Sequence, residues 1–131
     1  MSERATASFE IDSWDEQPYD EQAGIRLSRT RVVKSFRGDI EGGSTAELLM
    51  VVAGQDSAAY VGVERVSGRV NGRSGSFVYT HTATASGGTQ AASWPVVAGS
   101  GTGQLAGIRG QIRIDNLPDG GHVFTLDYEL G

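Results

Sequence analysis

The sequence predicts an all-β protein, an antiparallel up-and-down barrel of about eight strands. Nearly every segment alternates apolar and polar residues with a period of two, which is typical of half-buried strands. Glycine makes up 19 of 131 residues, about twice the usual share of roughly 7 %, and these glycines lie between apolar runs as in a protein with many turns. Asn71-Gly72 joins two long strand-like segments, as in a tight hairpin. A β-sandwich is the alternative, and we expect residues 1–131 to form one domain.

The N-terminal half predicts three strands separated by polar or glycine-rich turns. The first strand begins near Ala5, where apolar residues occupy every second position, and it ends near Trp14. Because acidic and polar residues then dominate, we expect a loop. The predicted elements in order are strand Ala5–Trp14, loop Asp15–Gly24, strand Ile25–Ile40 interrupted at Gly38, a turn over the GDIEGGS segment, and strand Thr45–Ala53.

A continuous apolar run, Leu48–Val52, lies within the third predicted strand. Such a run fits a strand covered on both faces, although periodicity alone also allows a buried helical turn. A turn is expected at Gln55–Ser57, before the hairpin.

The turn at Asn71-Gly72 determines the pairing of strands four and five. It pairs Val70 with Arg73, and counting outward from that pair places Glu64 opposite Tyr79 and Gly62 opposite His81. The two faces of the hairpin are therefore predicted to carry Tyr60, Glu64, Phe77, Tyr79 and His81 on one side, and Val61, Val63, Arg65, Val78 and Thr80 on the other. If the aromatic face points inward, the valines would suit contact with a second subunit, so a homo-oligomer is expected to be feasible.

Three further strands are predicted after the hairpin. Gln90–Val97 contains Trp94 and Pro95, and because proline cannot donate to a ladder, this strand should lie at an edge or carry a bulge. The remaining predicted elements are strand Gln104–Ile114, a tight turn over Asn116–Gly121, and strand His122–Leu130.

Composition excludes several classes of function. The net charge of −5 and the interleaving of basic with acidic residues argue against a nucleic-acid partner. The chain contains no cysteine and no apolar run long enough for a membrane span or signal peptide, so we expect a cytoplasmic protein. The basic residues of strand two share one parity and are interpreted as a solvated outer face: Arg29, Arg31 and Arg37, together with Ser35.

Recognisable cofactor and metal motifs do not fit their required contexts. Gly101–Ala106 matches a dinucleotide-binding pattern, but a strand pattern follows it instead of a helix N-terminus. His81 and His122 are the only histidines, and no zinc or catalytic-triad pattern surrounds them. The acidic residues of the first predicted loop lack calcium-loop spacing and are read as a solvated rim. We therefore expect no cofactor and no metal.

The aromatic face of the hairpin is the candidate site. Glu64 and His81 are diagonal neighbours across the strand pair, within reach of long side chains. In a barrel lumen, Glu64 would be either a carboxylate with a raised pKa or an anion paired with His81, and either state suits acid-base chemistry. The predicted catalytic residues are Glu64, His81 and Tyr79, and the predicted substrate-binding residues are Tyr60, Phe77, Trp94 and Tyr128. The alternative is that Glu64 and His81 are a satisfied buried pair without function, or that they simply face solvent.

Four segments, taken in order, resemble the bacterial family known as domain of unknown function 3224: FEIDSWDEQPYDE, FRGDIEGGSTAELLM, YVGVERVSGRVNGRSGSFVYTH and GSGTGQLAGIRGQ. This resemblance implies the barrel of plant allene oxide cyclases. Gly99–Gly110 also resembles the Gly-Thr-Gly strand entry of allene oxide cyclases and dirigent proteins. Outside that motif the sequence departs from the plant enzymes, so none of their catalytic residues is carried over.

The resemblance implies a cofactor-free barrel that binds an apolar, reactive molecule and steers its cyclisation or coupling. We therefore expect an isomerase, cyclase or lyase that uses acid-base chemistry on an apolar, carbonyl-bearing small molecule, such as a polyketide-like intermediate, in the lumen. A non-catalytic, lipocalin-like carrier is the first alternative. A barrel filled with side chains that serves as an interaction module is the second.

Overall fold

The chain folds as one antiparallel sheet of nine strands. The structure, a computed structural model, describes residues 2–131. The strands are β1 (Glu3–Gln22), β2 (Ile25–Gly38), β3 (Ile40–Ala53), β4 (Ser57–Val70), β5 (Arg73–Ser86), β6 (Thr89–Pro95), β7 (Thr102–Gly103), β8 (Ile108–Asn116) and β9 (His122–Leu130). No helix that could cross a membrane occurs between residues 2 and 131.

The sheet closes into a ring of eight strands. Neighbours in the ring follow chain order from β1 to β6, then β8 and β9, and β9 pairs back onto β1. The two-residue β7 pairs with β5 beside the ring. The prediction of an all-β, antiparallel barrel of about eight strands is therefore confirmed.

The hairpin at Asn71-Gly72 has the predicted register. Asn71 and Gly72 have φ angles of +48° and +83°, the left-handed conformation that a two-residue hairpin turn requires. Glu64 pairs with Tyr79 and Gly62 with His81. Because Glu64, Tyr79 and His81 are buried while Val61 and Val63 are half exposed, the aromatic face points into the barrel.

The predicted loop Asp15–Gly24 is wrong over most of its length. The first strand continues to Gln22, and its polar half pairs with β2 along residues 13–22. The side chains of this segment are exposed on both faces, so its composition is as polar as that of a loop. Backbone hydrogen bonds to β2 nevertheless hold it extended. The turn to β2 is formed by Ala23 and Gly24 alone, both with positive φ.

The predicted turn over GDIEGGS is also misplaced. The chain reverses at Asp39, and β3 already begins at Ile40. Gly42 pairs with Gly68 of β4, and both have positive φ. A Cβ atom on Gly42 would collide with the Ser67 carbonyl oxygen. The glycines therefore allow two strands to approach closely within the sheet and do not form a turn.

The apolar run Leu48–Val52 is a strand, but it is covered on one face only. Leu48 is buried, whereas Leu49 is 47 % exposed. Leu49 pairs with Val61, which is 51 % exposed, so the two form part of an outer apolar surface on β3 and β4. The expectation of a strand covered on both faces is wrong for residues 2–131 taken as a single chain.

Strands β6 and β8 are shorter than predicted, whereas β9 has the predicted bounds. Gln104–Gly107 forms a turn, so β8 begins at Ile108, and Leu105 in this turn packs into the core. Strand β6 ends at Pro95 and pairs with β8 only through Trp94 and Pro95. Residues 89–93 of β6 therefore have one unpaired edge, as expected for a proline-bearing strand.

The barrel is packed at one end and open at the other. Its packed half is filled by a hydrophobic cluster that includes Phe36, Phe77, Phe124, Leu126 and Tyr128. In the other half, β9 pairs only with residues 3–9 of β1, so residues 10–22 of β1 and 89–93 of β6 pair on one side only. Because these two strand segments do not pair with each other, the barrel wall is open at this end.

Candidate functional site

A cavity of about 580 Å³ occupies the open half of the barrel. Its walls are mostly apolar, and small side chains from β4, β5 and β6 widen it. The lining residues that matter here are Trp14, Lys34, Tyr60, Glu64, His81, Ala83, Trp94, Asn116 and His122. A cavity of this size, apolar with a few polar groups, is of the kind that holds a small molecule.

A β-bulge brings Trp14 to this cavity. The register of β1 against β2 shifts between Ile11 and Ser13, so Asp12 is the extra residue. Ile11 pairs with Lys34, and after the bulge Trp14 pairs with Val32. If regular pairing continued from Ile11 with Asp12 included, Trp14 would lie opposite Arg31 and point outward, because side chains alternate along a strand.

Glu64 is the centre of a buried polar cluster in the cavity wall. Its side chain is fully buried. The Oε1 atom accepts hydrogen bonds from Lys34 Nζ at 3.1 Å and from His81 Nε2 at 2.8 Å. The Oε2 atom accepts one from Ser44 Oγ at 2.6 Å. The four neighbouring strands β2, β3, β4 and β5 thus contribute one group each. Both oxygens of the Glu64 carboxylate have hydrogen-bond partners.

These contacts keep Glu64 ionised. Burial by itself raises the pKa of the carboxyl group, but the His81 hydrogen bond, the Lys34 charge and the Ser44 hydrogen bond together outweigh it and lower the pKa from 4.5 to about 2. The expectation of a raised pKa is therefore wrong. The other expectation, an anion paired with His81, agrees with the structure.

The carboxylate also determines which tautomer of His81 is present. An ionised carboxylate only accepts hydrogen bonds, so the Nε2 atom of His81 must carry the proton. In the neutral ring, Nδ1 is then an unprotonated acceptor, and it is buried without a hydrogen-bond partner within residues 2–131. The Tyr79 ring lies 4.8 Å from the imidazole, centroid to centroid.

Tyr79 contributes a second unpaired polar atom. Its hydroxyl oxygen is buried and has no partner among the described residues. Burial raises the pKa of Tyr79 well above its usual value, and the nearby Glu64 charge raises it further. The hydroxyl is therefore protonated at neutral pH and is available as a donor.

Not all of the predicted site residues reach the cavity. Glu64 and His81 line it, as do Tyr60 and Trp94, whereas Tyr79 lies behind His81 and is not part of the lining. Phe77 and Tyr128 lie in the packed core. The Tyr128 hydroxyl accepts a hydrogen bond from Asn71 Nδ2 at 2.8 Å, so its observed contact is with the hairpin turn. We therefore leave Phe77 and Tyr128 out of the proposed ligand contacts.

Sequence reasoning missed Lys34, Ser44, Trp14 and His122. Lys34 carried a usable signal, because it has the parity of the buried Val32 and Phe36 within a strand whose other parity is basic. Ser44 was obscured by the misplaced turn. No three His, Asp or Glu side chains in residues 2–131 come together as a possible metal site.

The fold and the site define a class: a small antiparallel barrel whose open half encloses a cavity with a buried ionic cluster. The family model described as "Protein of unknown function (DUF3224)" matches residues 5–128, so the chain belongs to that family. A solved structure of a DUF3224 protein of unknown function from Shewanella oneidensis MR-1 is 29% identical, with a TM-score of 0.86, and the match covers 100% of this chain and 98% of that chain. No functionally curated protein matches the chain.

Proposed function

We propose that this protein is a cofactor-free enzyme that performs acid-base chemistry on a small, apolar, carbonyl-bearing molecule held in the cavity. Isomerisation, cyclisation or lysis would each begin with proton removal beside the carbonyl. The observation that carries the proposal is the Lys34–Glu64–His81 cluster in the wall of an otherwise apolar cavity.

In this proposal, Glu64 is a positioning residue and its neighbours perform the chemistry. A carboxylate with a pKa of about 2 is a poor base at neutral pH. It holds the His81 ring through Nε2, so that Nδ1 is the atom that would take a proton from carbon. This division of roles follows the general pattern in which a carboxylate orients a histidine base.

Lys34 is the proposed electrophilic group. Its ammonium has three hydrogens, one of which bonds to Glu64. Its Nζ atom also lies 4.7 Å from the centre of the Phe9 ring. When the substrate C–H bond breaks and the electron pair moves onto the carbonyl oxygen, a remaining N–H of Lys34 would donate to the resulting enolate. Tyr79 does not line the cavity, so in this proposal it positions the His81 ring against which it packs.

The glycine-rich likeness to allene oxide cyclases favours cyclisation among these reactions. A polyketide-like substrate is compatible with the aromatic and alanine-rich walls, which would hold a folded apolar chain near its reactive geometry. The aromatic residues of this proposed substrate site are Tyr60, Trp94 and Trp14.

Proton exchange provides a direct test that needs no natural substrate. 2-Tetralone is an apolar ketone, and exchange of its α-hydrogens in D₂O can be followed by proton NMR. We expect the protein to accelerate this exchange, His81→Phe to abolish the acceleration, and Lys34→Met to reduce it at least tenfold, since a charge-assisted hydrogen bond to the enolate is lost.

Two neighbouring substitutions on β5 provide matched controls. Ala83 lines the cavity, whereas Thr82 is exposed on the outer face. Ala83→Phe should therefore fill the cavity and abolish exchange, and Thr82→Phe should leave it unchanged. If the wild-type protein exchanges tetralone no faster than the His81→Phe variant, the proposed chemistry is wrong.

A non-catalytic carrier is the second candidate, and the saturation of Glu64 favours it. Both carboxylate oxygens are bonded and the cluster is nearly inaccessible, so Glu64 needs no ligand to satisfy its hydrogen bonds. A carrier would bind the neutral probe N-phenyl-1-naphthylamine, lose binding on Ala83→Phe, and show no tetralone exchange. Because Trp14 and Trp94 are the only two tryptophans and both line the cavity, quenching of their fluorescence would report probe binding directly.

A further inference from the structure

A second polar pair, separate from the Glu64 cluster, lines the same cavity. Asn116 is the last residue of β8, and His122 is the first residue of β9. The two residues pair across the strands, and His122 Nδ1 lies 2.8 Å from Asn116 Oδ1. Both residues line the cavity on the side of the β8–β9 turn.

Asn116 determines the tautomer of His122. An amide oxygen only accepts hydrogen bonds, so Nδ1 of the imidazole must be the donor. In the neutral ring, Nε2 is then an unprotonated acceptor. It makes no hydrogen bond to another residue in the range 2–131 and is not among the buried polar atoms. The free nitrogen is thus accessible in the half-buried ring of a cavity-lining residue.

The ring is also held in a fixed plane. Phe9 pairs with His122 across β1 and β9, and the two rings stack at 4.9 Å with an interplanar angle of 15°. Lys34 Nζ lies 4.7 Å from the centre of the same Phe9 ring. Phe9 therefore contacts both polar groups, the acceptor at His122 and the donor at Lys34. A preorganised acceptor and a preorganised donor favour a ligand that has both a donor for His122 and an acceptor for Lys34.

We propose that His122 Nε2 accepts a hydrogen bond from a hydroxyl group of the ligand. The ligand class is then an apolar molecule, aromatic or folded, that carries a phenolic, enolic or alcoholic hydroxyl in addition to an acceptor group for Lys34. This assignment rests on the proposed use of the cavity as a small-molecule site, but it is independent of whether the protein is an enzyme or a carrier.

The test uses two probes that differ only in the hydroxyl. 2-Naphthol has a hydroxyl donor, and 2-methoxynaphthalene lacks it. Each is titrated as a competitor against bound N-phenyl-1-naphthylamine, whose emission reports displacement. The measured quantity is the ratio of the two inhibition constants, compared between variants, so that the different solubilities of the probes in water cancel.

We expect His122→Phe to lower the preference for 2-naphthol about fivefold, the value of one hydrogen bond. Phenylalanine keeps a ring that can stack on Phe9, so binding of 2-methoxynaphthalene should persist. His122→Gln keeps a side-chain acceptor and should retain part of the preference. If the phenylalanine variant does not fold, the partial loss of the 2-naphthol preference expected for His122→Gln is the test.

The outcomes separate this assignment from the proposed function. An unchanged ratio in both His122 variants overturns the assignment of the hydroxyl contact while leaving cavity binding in place. If the wild-type protein binds neither naphthalene nor the naphthylamine probe, both the assignment and the proposed function are overturned. Loss of the preference in His122→Phe, with 2-methoxynaphthalene still bound, supports the assignment.

Discussion

Glu64→Gln should destabilise the protein in a strongly pH-dependent way. The substitution removes the negative charge that faces Lys34, whose side chain is only 8% exposed. Breaking a buried ion pair on one side typically costs about 3–5 kcal/mol, because the remaining charge stays buried without a partner. We therefore expect the free energy of unfolding at pH 7 to fall by about 3 kcal/mol or more, measured by urea denaturation.

The pH dependence follows from the lowered pKa of Glu64. The folded protein holds this pKa near 2, against 4.5 for the ordinary group. Between these values the unfolded chain binds the proton and the folded chain does not, so the contribution to stability is complete above about pH 4.5 and is lost as pH falls toward 2. At about 1.4 kcal/mol for each pH unit, the contribution amounts to about 3 kcal/mol.

The difference between wild type and Glu64→Gln should therefore shrink by about 3 kcal/mol between pH 6 and pH 2, as measured by parallel urea titrations. Asp127 provides a control, because the pKa of its carboxyl is also lowered, chiefly by a hydrogen bond from Arg4, but the pair is exposed to solvent. Asp127→Asn should change the pH profile little. A difference between wild type and Glu64→Gln that stays constant with pH would refute the ionised state of Glu64.

Three further predictions concern the barrel itself. Gly42→Ala should lower the melting temperature by several degrees, since the position has positive φ and no space for a Cβ atom. Asn71→Ala should destabilise the hairpin by about 1–2 kcal/mol in urea denaturation, because the turn loses a residue suited to positive φ and Tyr128 loses its hydrogen bond. Deletion of Asp12 should remove the bulge while Ser13 and Trp14 keep Val33 and Val32 as partners, so Trp14 should still face the cavity and its emission, in a variant lacking the other tryptophan, should not shift. Unchanged melting or stability, or a red-shifted emission, would contradict the respective prediction.

The parts of the fold that could be predicted are those with local causes. Asn71-Gly72 determines the hairpin register through two residues, and every pair from Val70 to Tyr60 follows by counting. The acidic half of β1 could not be predicted in this way. Its strand conformation depends on pairing with β2, and its polarity is suited to an edge strand, where charged side chains discourage pairing with other chains.

The site was predictable only in part, because it combines groups from distant strands. Alternation placed Glu64 and His81 on one face, but the ionisation of Glu64 depends on Lys34 from β2 and Ser44 from β3. The position of Trp14 depends on a bulge whose extra residue, Asp12, has no distinctive sequence signal. Hydrogen bonds between strands and the location of bulges are properties of the closed barrel, so they emerge only with the structure.

The buried cluster is better explained by the proposed site than by stability. An apolar replacement of a whole buried ion pair is often neutral or stabilising, although removal of one partner is costly. The packed half of this barrel follows that rule, since its core consists of aromatic and aliphatic side chains. The Lys34–Glu64–His81 group lies instead where the packing ends and the cavity begins. A charged group that costs desolvation is most useful at such a boundary, where its remaining donors and acceptors can contact a bound molecule.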